Sequence, residues 1–397
     1  MIELYRKGVL FLTESILFSL LRTAVSTETV DGWNSADLTK DTLTDVYALA
    51  KSHDMDHLVG HALSHIGWSQ DGEFSQTLHK RTMQAVFRCA RQQDEFERMS
   101  RQLEDARIPY VPLKGMVIRD WYPEPWMRTS TDIDILVRKE DLAEAIRVLT
   151  EKLGCQHHGT AFHDASLFSP SGVHIELHYE LADATAPENL RKTLLDVWDH
   201  VSPKAGSAYC YSMDADWFYL YHIFHMTKHL YTGGCGIKPF LDLWIMNRGN
   251  GYCAKCCQGI LDNCGLLTVA LAAEKLAEIW FGDGQMDALS RRLADFVLDG
   301  GVHGTVDGNV AVAQARRGGM FRSLWQKVFL PYDVIKELYP VLCTHKWLLP
   351  ICQVLRWFKL LFGGGFGRTA SLLRKNIAVS DADRAATGEL LRDLGLL

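Results

Sequence analysis

The chain has 397 residues, 47% hydrophobic and 23% charged, a balance that suits packed globular units and excludes extensive disorder. One hydrophobic core rarely organises that length, so two or three packed units are expected. The net charge is only −6, but it is unevenly spread. Residues 310–379 hold 11 Lys and Arg (316, 317, 322, 327, 336, 346, 356, 359, 368, 374 and 375) against two acids, Asp333 and Glu337, a local charge of +9 that leaves −15 elsewhere. Such a basic stretch suits RNA or an acidic membrane, and equally suits packing on the chain's own acidic body. The ten cysteines form no small-domain framework and fit reduced thiols in the cytoplasm.

In chain order, MIELYRKGVLFLTESILFSLL reads as an amphipathic helix. Glu3 and Glu14 interrupt it and no small-residue cleavage site follows, so a targeting segment is not expected. Apolar spacing in VYALAKSHDMDHLVGHALSHI, and again from Phe74 to Ala106, predicts a helical part over 1–106, ended by Ile108-Pro109. The pattern then alternates between short strands and helices. PYVPL reads as a strand, MVIRDWY as a short helix and DIDILV as a second strand; KEDLAEAIRVLTEKLG reads as a helix ending at Gly154, and ASLFS and GVHIELHYEL as two more strands. These make a small mixed α/β unit over 107–213. DADWFYLYHIFHMTKHLYTGG begins at an Asp cap and stops at two glycines, opening a helical part over 214–300. A glycine-rich break, GVHGTVDGNVAVAQARRGG, leads into a basic, Trp-rich helical tail over 301–397. The apolar WLLPICQVLRWFKLLF is interrupted by Pro350, Gln353, Arg356 and Lys359, far short of a membrane span, so a cytoplasmic protein is expected. Trp325, Trp347, Trp357 and Phe358 interleaved with bases could also lie on a membrane surface.

The strand DIDILV raises the functional question. Residues two apart in a strand share a face, so Asp132 and Asp134 project together while Ile133, Ile135 and Val137 face the core. Two adjacent carboxylates repel unless a cation intervenes. Magnesium, held by carboxylates and substrate phosphates, answers that need, with manganese an alternative. Glu176 in VHIELHYEL is an acid in a comparable strand, flanked on its own face by His174 and His178, and would complete the set. An Asp-x-Asp pair alone is also common at strand ends as a cap or a solvated group. Near it, Lys114-Gly115 could present backbone N–H groups to a phosphate, and Arg128 could clamp a triphosphate oxygen; both basic residues would serve equally as surface charges.

His222, His225 and His229 lie on one helical stripe with Lys228 nearby, and Lys238 and Asp242 follow in GIKPFLDL. Zinc, core-edge packing or nucleotide contact would each explain them. Phe218, Tyr219, Tyr221 and Phe224 read mainly as core. Cys253, Cys256, Cys257 and Cys264 begin with a zinc-like spacing but lack a second paired half, and buried helical cysteines are the plainer expectation.

LKG, YPEP, an arginine before TDIDILV, a helix, the GVHIELH strand and the His-rich helix before GIKPFLDL follow one another over roughly 75–250. In that order they resemble the uncharacterised bacterial nucleotidyltransferase family of the polymerase-β superfamily. FLPYDVIKELYPVL is similar to the tail of its longer members. The resemblance implies a mostly helical α+β fold: a small mixed-sheet nucleotidyltransferase core flanked by N- and C-terminal helical parts. It implies magnesium on Asp132, Asp134 and Glu176, which would also be the catalytic residues. Lys114, Gly115, Arg128, His225, Lys228, His229 and Lys238 would line the nucleotide cleft, with the 214–300 helices as its wall. Two departures stand out. The broader superfamily has Gly-Ser where this chain has Lys114-Gly115-Met116, and Glu176 stands where Asp is commoner.

The expected activity is transfer of a nucleoside monophosphate from a nucleoside triphosphate such as ATP, with release of pyrophosphate. The acceptor could be an RNA end reached through the basic tail, a small hydroxylated molecule or a protein side chain. The rival reading is a catalytically silent nucleotide-binding or interaction module with the same fold.

Overall fold

A computed structural model of the chain describes residues 2–26, 38–68, 72–161, 163–183, 186–231, 233–249, 252–302, 304–317, 330, 332–362 and 380–397. It is a mostly helical α+β protein with a small mixed sheet. Two compact units emerge: residues 1–225 with 237–287, and residues 226–236 with 288–397.

The first unit starts with helices α1 (Ile2–Val25), α2 (Lys40–Ser52), α3 (Asp56–His65) and α4 (Glu73–Asp105). On α1 the residues Ile16, Leu17, Leu20, Leu21 and Ala24 are buried at three-to-four spacing, the apolar stripe of a packed helix. The Thr39 hydroxyl caps α2 by accepting from the Thr42 N–H. Between α2 and α3 the chain reverses through Asp54, in the left-handed region at φ +54°.

Strands β1 (Tyr110–Pro112), β2 (Asp132–Val137), β3 (Gln156–Thr160), β4 (Asp164–Phe168) and β5 (His174–His178) form one sheet, ordered β1-β2-β5-β4-β3. The β2/β5 pair is parallel and the others are antiparallel. Helix α5 (Gly115–Ile118) and a 3₁₀ turn (Arg119–Trp121) replace the single helix predicted for MVIRDWY. Helix α6 (Leu142–Leu153) returns the chain from β2 and ends at Gly154, whose φ of +70° suits a residue without a side chain. Ile133, Ile135 and Val137 join Ile175, Leu177, Ala165 and Leu167 in one core, closed by Met99 and Leu103 of α4 and by Val148 and Leu149 of α6. The opposite face carries Asp132, Asp134, His174, Glu176 and His178 together with the buried Leu136.

A two-stranded hairpin, β6 (Val201–Pro203) and β7 (Tyr211–Met213), follows α7 (Glu188–Leu195). Glu104 near the end of α4 accepts from the Ser207 hydroxyl and the backbone N–H groups of Tyr209 and Cys210, which ties the hairpin's turn to that helix. Helix α8 (Ala215–Tyr231) is continuous, with its residues up to His225 in the first unit. Helices α9 (Lys238–Gly249), α10 (Gln258–Asn263) and α11 (Leu267–Phe281) complete that unit.

In the second unit, α8 ends against two glycines; a Cβ at Gly234 would lie 2.1 Å from the Gly304 backbone nitrogen, so the close approach requires glycine. Within the stretch read as a glycine-rich break, Val306–Arg317 forms a helix, because Val310, Ala311 and Val312 are buried and Gly308 alone does not break it. In Leu349–Phe362, Ile351, Val354, Leu355 and Phe358 are exposed at helical spacing beside exposed Lys359. Arg322, Trp325, Lys327, Arg368, Arg374 and Lys375 lie outside the described residues. No described helix is long and apolar enough to cross a membrane.

Candidate active site

The parallel register of β2 and β5 assembles the site. Asp132 is paired with His174, Asp134 with Glu176, and Leu136 with His178, so the acids and both histidines stand on the sheet face opposite the core. The three sequence-predicted acids are therefore brought together. The two sets Asp132/His174/Glu176 and Asp134/Glu176/His178 each hold donor atoms within 4.8 Å of one another, sharing Glu176.

Asp134 is 2% exposed, and its Oδ1 accepts from Lys114 Nζ at 2.9 Å and from His178 Nε2 at 2.8 Å. Burial alone would raise its pKa; Lys114 and His178 outweigh burial and hold the carboxyl well below its ordinary value. Burial likewise works against the charge on His178, but its hydrogen bonds to Asp134 and Glu176 prevail and raise its pKa. Lys114 reaches this position from a backbone at φ +42°, a region costly for a residue with a side chain. Asp132 differs. Its carboxylate accepts from the Ser130 hydroxyl at 2.9 Å, and its pKa is raised by burial and by the neighbouring charges of Asp134 and Glu176. A cluster of three carboxylates, one of them held above its ordinary pKa by burial and by its neighbours, offers oxygen donors of the kind a divalent cation uses. The residues fit such an ion.

A second layer fixes the start of β2. Gln92 of α4 donates to the backbone carbonyls of Ser130 (3.1 Å) and Asp132 (3.4 Å), and buried Arg119 donates to Gln92 Oε1 and to the Gly115 carbonyl. Gly115 opens a helix of four residues and packs tightly: a Cβ there would lie 3.2 Å from Ser130 and 3.3 Å from Arg128 Nη1. Neither Gln92 nor Arg119 stands out in the sequence as a site residue, because each is one polar residue on a helical face.

Arg128 and Lys238 are each paired with an acid. Arg128 grips Asp242 with Nε and Nη2 at 2.9–3.2 Å and donates Nη1 to the Thr129 carbonyl. Asp242, fully buried, also accepts from Tyr122; burial opposes its charge, but Arg128 lowers its pKa. Lys238 donates to Asp54 at 2.6 Å and to Thr129 Oγ1 at 2.8 Å. Despite burial, Lys238 and Thr129 bring Asp54 down to about 2. These pairs brace the loop before β2 against α9 and the α2–α3 turn.

On α8, His222 approaches the Pro239 carbonyl at 3.2 Å, and burial lowers its pKa. His225 ends the first unit's share of the helix, whereas Lys228 and His229 belong to the second unit. Phe218, Tyr219, Tyr221 and Phe224 are buried, as core residues should be. Of the four clustered cysteines, Cys257 and Cys264 are buried and Cys256 is exposed in the turn before α10. Among the described residues, none of them belongs to a converging metal-donor group. A cavity of about 440 Å³ elsewhere in the first unit is lined by Phe96, Arg119, Trp121, Lys204, Phe218 and Tyr252, and by none of the three acids.

No curated protein matches this sequence. Among solved structures, the chain is similar to the solution structure of the antibiotic-resistance factor ANT(2'')-Ia, at 13% identity over 52% of this chain and 95% of that one, with a TM-score of 0.27. Residues 40–282, more than half of the 397, match the family model described as "Uncharacterised nucleotidyltransferase". That span holds every sheet strand and all three acids, and the chain belongs to the uncharacterised nucleotidyltransferase family.

Proposed function

We propose that this protein transfers a nucleoside monophosphate from a nucleoside triphosphate to a nucleophilic acceptor, with Asp132, Asp134 and Glu176 as the metal-binding and catalytic acids. The observation that carries the reading is the parallel register that sets Asp134 opposite Glu176, with Asp132 two residues away on the same face. The bound ion, magnesium or manganese, would neutralise phosphate charge as it builds. The acceptor oxygen bonds to the α-phosphorus, the bond to the β-phosphate oxygen breaks, and pyrophosphate leaves.

The chain's own residues supply positioning and charge. Lys114 and His178 keep Asp134 ionised, while Gln92 and Ser130 fix the backbone and carboxylate of Asp132. Glu176, whose side chain is 24% exposed, has the access needed to accept the acceptor's proton. Lys114, with Gly115 beside it, borders the triphosphate. Arg128 and Lys238 act mainly by holding the loop that carries Ser130, since both are engaged with buried or half-buried acids. His225, the last residue of α8 in the first unit, would form part of the helical wall toward the nucleotide. Ten free cysteines support a cytoplasmic location.

The test is incubation with each α-labelled nucleoside triphosphate and magnesium or manganese, using total RNA, lysate protein and small hydroxylated compounds as separate acceptor pools. Label should pass to one pool with wild type and not with Asp132→Asn. Metal-dependent nucleotide binding without transfer to any pool would favour the silent module instead.

A further inference from the structure

The acid face contains one imidazole whose two nitrogens have separate tasks. His174 Nε2 meets the Ser166 hydroxyl at 2.8 Å, and its ring stacks on Phe168 at 4.6 Å and 20°. Both partners come from β4, where Ser166 is paired with Glu176 and Phe168 with His174 itself. This fixes the ring and turns Nδ1 toward Glu176 Oε1, 3.8 Å away. The separation is too long for a hydrogen bond. It fits within two metal–ligand bonds, which together span about 4.2 Å.

We propose that His174 is a nitrogen ligand of the divalent-metal site formed with Asp132 and Glu176, and that it biases this site toward first-row transition-metal ions over magnesium. The inference rests on the metal-dependent reading above and adds to it the identity of a further ligand and the class of ion. A ligating histidine typically has its second ring nitrogen held by an outer partner that sets tautomer and orientation; Ser166 occupies that position for His174. Coordination at Nδ1 requires the proton on Nε2, which makes Ser166 the acceptor. Magnesium prefers an all-oxygen shell and retains its waters, whereas imidazole is a good donor to transition metals. Two carboxylates and one imidazole therefore form a mixed donor set that magnesium does not need.

Mn²⁺ serves as the probe, because a directly bound imidazole nitrogen leaves ¹⁴N modulation in its pulsed EPR signal. The full-length protein loaded with Mn²⁺ in an amine-free buffer should show that modulation. His174→Ala should lose it while still binding Mn²⁺ through the carboxylates, and should lose affinity for Mn²⁺ more than for Mg²⁺. Ser166→Ala should keep the modulation and weaken Mn²⁺ binding by about 10- to 100-fold. Modulation absent from wild type, or persisting in His174→Ala and vanishing only in His178→Ala, would overturn the assignment while leaving the acid site intact. Failure of Asp132→Asn to reduce Mn²⁺ binding would instead overturn the acid site, and the assignment with it. Circular dichroism of each variant separates a lost ligand from a lost fold.

Discussion

The two faces of the five-stranded sheet are built from the same strands to opposite ends. One face buries Ile133, Ile135, Val137, Ile175 and Leu177 in the core; the other, one residue out of phase, presents Asp132, Asp134, Glu176 and two histidines. The core face gains stability from every residue, with roughly 1.5–3 kcal/mol for each large apolar side chain removed from water. The acid face concentrates like charge, offset only in part by Lys114 and His178, and so costs stability.

Substitutions on each side should separate the two roles. Asp132→Asn should lower nucleotidyl transfer on the order of 10³-fold, about 4 kcal/mol of barrier, while leaving the metal-free melting temperature unchanged or higher. A large drop in that temperature would mean Asp132 is structural. Asp242→Ala leaves Arg128 charged and buried without its partner and should cost about 3–5 kcal/mol in a denaturant titration. Ile135→Ala, on the core face, should cost about 2–5 kcal/mol with transfer per folded molecule preserved. If activity falls in parallel with stability, the faces are less independent than their alternation suggests.

A gentler probe is acid. Buried His57, with Nε2 on the Met127 carbonyl, has its pKa lowered to about 4 by burial. Its folded pKa lies below the unfolded value near 6.5, so the unfolded state takes up the proton first. The stability from this group is complete above pH 6.5 and is lost as pH falls toward 4, on the order of 3 kcal/mol in all. A His57→Gln variant should show a flatter decline over that window. Smallest of all, Glu144→Gln on the exposed face of α6 should leave stability and transfer unchanged.

Strand β2 was the most legible part of the chain. DIDILV forms β2 over those same six residues, because period-two alternation with buried branched residues has one strand solution. The strand carrying Glu176 was recoverable for the same reason. Strand β3 was not: all five of its residues are exposed, so it carries no hydrophobic pattern and exists through pairing with β4. The partners of Arg128 and Lys238 were also hidden. Each pairs with an acid far away in sequence, Asp242 and Asp54 respectively, and charge partners brought together only by folding leave no local periodicity to read.

The parallel pairing of β2 with β5 also bears on how the protein tolerates change. A slip of one residue between these strands would turn Glu176 toward Val148 and Leu149 and push Ile175 or Leu177 outward, so a misregistered molecule would lose its fold and its reaction together. In the connection between the two strands, the exposed turn at residues 170–172 lies outside the paired residues. An affinity tag or fluorescent reporter inserted at that turn should leave the acids in register, which makes it a practical handle for capturing the acceptor during turnover.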